Sequence, residues 1–173
     1  MGKKTRAMTL SALFAALCTI SLYIASIWPT GRFGLVAFSS LFAAAAVIEA
    51  GLSSGISVYI ISSALGMLLL PDKAAPLLYM LFFGYYPVIK SLIEKVSGTA
   101  LQWILKLLVF NASFTVIWFL LRALIFNLGD NAPALAVLYL VGNVIFALFD
   151  YGFTKVIWFY INKVSVAKNQ SRK

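Results

Sequence analysis

The chain contains no histidine, one cysteine and five acidic residues among 173 positions. Without histidine, metal ligation and general acid–base catalysis both lose their usual side chain. The lone thiol, Cys18, can form no internal disulfide, and it lies inside an apolar run. The carboxylates form no DxxD or DxxxD pair, so phosphoryl transfer and hydrolysis lack paired acids. The sequence therefore predicts no catalytic residues, no metal, no cofactor and a protein that is not an enzyme. Charge is scarce as well, at 11% of residues against about 25% in soluble domains.

Apolar residues make up 62% of the chain, which excludes an ordinary soluble fold. The length suits about six spans of ~20 residues joined by short loops. Apolar runs delimited by turn residues place them at 7–28, 33–48, 52–70, 76–93, 101–126 and 134–161, with a basic tail at 163–173. The expected fold is an all-α integral membrane protein, one six-helix bundle over residues 1–173 with no room for a soluble domain. Any nucleotide hydrolysis would then come from a partner. The start, MGKKTRAMTL, has the look of a signal-peptide n-region, but the run behind it is full-span and carries no clear cleavage site. It is read as a retained first helix.

A net charge of +9 raises the question of nucleic acid, but the basic residues flank apolar runs, so no nucleic-acid partner is expected. Of fourteen basic residues, only Arg32, Lys73 and Arg122 fall at the outer side when the N-terminus is placed inside. That bias predicts both termini in the cytoplasm.

Within this frame the stretch Pro76–Lys95 stands apart. Gly84, Tyr85, Tyr86, Pro87 and Lys90 are exceptions that a helix facing only lipid does not need. Pro87 cannot donate to the carbonyl of Phe83, so a kink is expected there, in a helix central to the bundle. Among other intramembrane polar groups, Asp150 is either half of a structural pair with Lys155, Lys90 or Lys106, or a ligand or proton group. Asn111 and Asn143 are either interhelical hydrogen bonds or ligand contacts. Arg122 either snorkels to outer headgroups or turns inward to clamp a carboxylate or phosphate. In the first span Ala12 and Ala16, like Ala7, Ser11 and Ala15, recur every four residues. Such a face packs either within the bundle or against another subunit.

Length, six spans with both ends inside, a basic N-terminus running into an alanine-rich first helix, and the AxxxA pattern at Ala12 and Ala16 together resemble a substrate-binding S-component of an energy-coupling-factor (ECF) vitamin transporter. The resemblance implies a multi-pass protein of the bacterial plasma membrane. It implies that Ala12 and Ala16 face a transmembrane T-component, that separate ATPase subunits supply energy, and that a small vitamin-like solute binds near the outer face. By position, the ligand-side candidates are then Arg32, Asp72, Tyr79, Trp118, Arg122, Asn127 and Asn143. The outer cations lean toward an anionic or zwitterionic solute. The competing expectation is a non-catalytic scaffold of the cell-shape or division type, with its polar groups paired internally.

Overall fold

The structure is a computed structural model and describes residues 2–124 and 132–170. The described residues are helical with short connectors, and no strand occurs among them. Six helical segments are long and apolar enough to cross a membrane: Lys4–Ile27, Arg32–Ala50, Leu52–Leu69, Ala74–Ile93, Thr99–Leu120 and Leu135–Lys163. The chain divides into two compact units, Met1–Asn127 and Leu128–Lys173.

The first unit begins with α1 (Lys3–Ile27), a 3-10 turn (Pro29–Gly31) and α2 (Arg32–Ala50). The sequence places the second span at 33–48, short for a perpendicular crossing. The helix takes in Arg32, Glu49 and Ala50 as well, and its 19 residues reach ~29 Å, close to the hydrocarbon thickness. One residue then separates α2 from α3 (Leu52–Leu69). That residue is Gly51, with φ 92°, a backbone region that costs glycine little. Its N–H closes α2 on the carbonyl of Val47, and its carbonyl accepts from Ser54 at the start of α3. Helices α1, α2 and α3 pack on one another. Their small residues form the contact: Ala15, Cys18, Ala25, Ser39, Ser40, Ala43, Ala46, Ser62 and Ser63 are all buried. In lipid, where apolar surface gains nothing from leaving water, close approach of small residues supplies the attraction.

The fourth span is broken into α4 (Ala74–Leu78), a π-helix (Tyr79–Phe83) and α5 (Tyr86–Ile93). The π-turn closes with Gly84 N–H on the carbonyl of Tyr79 at 2.7 Å. Pro87 then falls in the first turn of α5, where a missing N–H leaves no helical bond unmade. The regular α-helical ladder is thus already interrupted before Pro87, by the π-turn and residues 84–85. This span is the most enclosed of the six, with half of its apolar window buried. Helix α6 (Thr99–Leu124) leans on it through Phe110, 5.6 Å from Phe82 between ring centres.

The second unit is dominated by α7 (Ala132–Gln170). It runs on through residues 163–170, which the sequence suggests as a tail. No proline or glycine follows Gly152 to stop it.

Candidate functional site

Two connectors meet at the end of the first unit where α1 finishes and α2 and α4 begin. Arg32, the first residue of α2, donates through Nη2 to the carboxylate of Asp72, which lies between α3 and α4. Asp72 also accepts at Oδ1 from the N–H of Ala74 at 2.9 Å, an Asx turn that starts α4. Its own N–H donates to Ser26 Oγ of α1 at 3.2 Å. One aspartate therefore joins α1, α2 and α4. Lys73 turns away from this pair: its Nζ donates to the carbonyls of Met67 and Leu70, 2.7 Å each, which α3 leaves without helical partners at its end.

Tyr79, at the first position of the π-helix, is fully buried. Near its hydroxyl lie Cys18 of α1 and Ser62 of α3, and the Cys18 thiol also neighbours Ser39 of α2. All four are 0% exposed. Ser62 Oγ donates to the carbonyl of Ala15 at 3.3 Å, and Ser39 Oγ to that of Val36 at 2.6 Å. The Tyr79 hydroxyl makes no hydrogen bond. The cluster offers hydroxyl and thiol groups in an apolar interior, and it contains no carboxylate or amine. Such a set suits orientation by hydrogen bonding better than proton transfer.

The remaining ligand-side candidates are spread more widely. Trp118 is half-buried on α6. Arg122 belongs to the same helix, but its side chain lies outside the described residues, as does the whole of Asn127. Asn143, in the second unit, donates from Nδ2 to the carbonyl of Tyr139 at 2.8 Å. Asn111 makes the equivalent bond to Leu107 at 2.8 Å. Asp150 is buried, and its carbonyl accepts from Thr154 Oγ1 at 2.7 Å. Lys155 is exposed and lies over the ring of Tyr151. Of the candidates, the structure joins Arg32 to Asp72 directly.

On α1 the two small-residue rows part company. Ser11 and Ala15 are buried in the bundle, and Ala12 and Ala16 are exposed on its outside.

Two charged groupings at the opposite end of the first unit escape the sequence reading. Lys90 and Lys106, both buried, converge on Glu94 Oε1 at 2.9 and 3.2 Å. The i,i+4 spacing of Lys90 and Glu94 is the signal that could have found the first contact. Arg6 and Glu49 stand 3.9 Å apart beside a cavity of about 340 Å³. Among the described residues, no three His, Cys, Asp or Glu side chains gather as a metal site would require. No protein-family model matches this chain, and no curated protein or solved structure matches it either.

Proposed function

We propose that this chain is a membrane-embedded, substrate-binding subunit for uptake of a small vitamin-like solute, coupled to a separate transmembrane T-component and ATPases, as in ECF transporters. The observation that carries the reading is the split on α1. Ser11 and Ala15 serve the bundle, and Ala12 and Ala16 are left on the outside of the described helices. A small-residue row left exposed among the described residues suits close approach by a second membrane helix. The Arg32–Asp72 pair adds support at the other end. It is part-exposed and closes two connectors, and the carboxylate of an anionic or zwitterionic solute can take the place of Asp72 on the guanidinium. In this reading the solute enters over Arg32 and Asp72 and meets Tyr79 below.

The test has two arms. Ala12→Trp and Ala16→Trp should abolish co-purification with the T-component and ATPases and leave the isolated protein as stable as the parent. Mass spectrometry and calorimetry on the purified protein should then detect a bound vitamin-like solute, with binding weakened in Arg32→Ala. Unchanged complex formation in both tryptophan variants, together with no solute, would remove the proposal.

A second reading, a non-catalytic scaffold, is favoured by one observation. The charges on the connectors are already spoken for, Arg32 by Asp72 and Lys73 by the end of α3. A stable protein with no solute and no ATPase-bearing partner would establish it.

A further inference from the structure

In the broken fourth span two donors compete for one carbonyl. An α-helical N–H donates to the carbonyl four residues back, and a π-helical one to the carbonyl five back. Gly84 takes the longer step and donates to Tyr79 at 2.7 Å. Its α-helical acceptor would be the carbonyl of Met80, and that oxygen is occupied from outside the span. Tyr59 of α3 donates its hydroxyl to it at 3.0 Å. Just upstream the ladder is divided as well, since the N–H of Tyr79 donates to both Ala75 and Pro76. The register shown also carries a penalty. The Tyr79 hydroxyl is buried near Cys18 and Ser62 and makes no hydrogen bond, and a buried donor left unmade costs free energy.

We propose that the fourth span is a two-register switch and that the Tyr59 hydroxyl is its catch. When Tyr59 releases Met80, the N–H of Gly84 donates to that carbonyl and the π-turn becomes α-helical. Closing the ladder one residue sooner winds the preceding segment by about 100° and lengthens it by about 1.5 Å, one residue's worth of helix. With α5 fixed, each residue from Ala75 to Met80 moves to the place of the one before it. Met80 then enters the niche of Tyr79, and Tyr79 moves to the half-buried place of Leu78. A methionine suits that niche, being flexible and having no O–H to satisfy. The switch gives up the Tyr59 bond and frees the Tyr79 hydroxyl, so single hydrogen bonds balance the two registers. Ala75 leaves a fully buried place for the half-buried one of Ala74. The N–H of Ala74 holds Asp72, which holds Arg32, so the turn in the core is linked to the connectors at the end of the unit. The switch is independent of any transported solute.

The experiment is maleimide labelling of the full chain in detergent, carrying Ala75→Cys, with the modified peptides identified by mass spectrometry. The buried Cys18 is an internal control in the same molecules. With Tyr59 in place, position 75 should label slowly. Adding Tyr59→Phe should raise its rate about fivefold, the worth of one neutral hydrogen bond in an equilibrium constant, and leave Cys18 unlabelled. Deleting Met80 from that double variant removes the residue that the π-turn accommodates. The span then runs as continuous α-helix with Ala75→Cys in its buried place, and the slow rate should return. An unchanged rate in Tyr59→Phe overturns the proposal. A matching rise at Cys18 overturns it too, because the chain has then loosened generally. So does a shortened chain that folds and still labels fast. Should the shortened chain fail to fold, the rates at position 75 and Cys18 decide alone.

Discussion

Gly84 sits where two tyrosine rings close over the backbone. A Cβ at this position would lie 2.6 Å from both the Tyr59 and the Tyr79 rings, and both rings are held by packing. Overpacking of this kind costs about 1–3 kcal/mol. Gly84→Ala should therefore lower the thermal midpoint clearly. Gly34→Ala, on exposed α2 surface with nothing within 4 Å of the added methyl, should leave it unchanged or raise it slightly. Thermal unfolding of both variants in the same detergent checks the contrast. The notch was legible in the sequence, since a glycine amid bulky apolar residues signals close approach. Its occupants were not, because Tyr59 comes from another helix, and the conspicuous Tyr85 and Tyr86 pack instead on the rings of Tyr59 and Phe82. Lys73 shows the same limit. Sequence position marks it as an outer cation, but only coordinates reveal that it spends its donors on the carbonyls ending α3.

Among the elements, the broken fourth span combines the clearest sequence signal with the least anticipated geometry. Its low tolerance for lipid was readable from Gly84, Pro87 and Lys90, and it is indeed the most enclosed span. A π-helix has no such signature, because shifting hydrogen bonds by one residue leaves the apolar pattern intact. What holds it is a neighbour. Tyr59 of α3 donates its hydroxyl to the carbonyl of Met80, inside the π-turn, at 3.0 Å. Tyr59→Phe keeps the ring and removes that donor, so it should destabilise the protein by about 1 kcal/mol. The same unfolding measurement reads it, and an unchanged midpoint would mean that the π-turn stands without this bond.

At the scale of the whole chain, the six spans were legible because length and apolarity decide them, and both are properties of local sequence. The side from which each end is reached is testable with the chain's own chemistry. Its single thiol, Cys18, is 0% exposed, so the parent protein should be silent toward a membrane-impermeant maleimide. Thr30→Cys and Ser97→Cys place exposed thiols at opposite ends of the first unit. With basic residues inside, Thr30→Cys should label in intact cells and Ser97→Cys only after permeabilisation. The reverse pattern would invert the topology.

The candidate site was half readable at this scale. Arg32 and Asp72 were both picked from their loops, but their pairing across 40 positions of sequence requires the return of α3 and could not be foreseen.

Helix α2 carries its charges the wrong way round for an isolated helix. A cation, Arg32, opens it and an anion, Glu49, stands next to its last residue, although the backbone dipole favours the opposite order. Each is matched sideways instead, Arg32 by Asp72 and Glu49 by Arg6. The helix is thereby held by a hydrogen-bonded pair at its first tip and by a looser ion pair at the other. A slide of one turn, ~5.4 Å along its length, would part both pairs together. Any lengthwise shift of α2 therefore has to break two ion pairs at once, one at each tip.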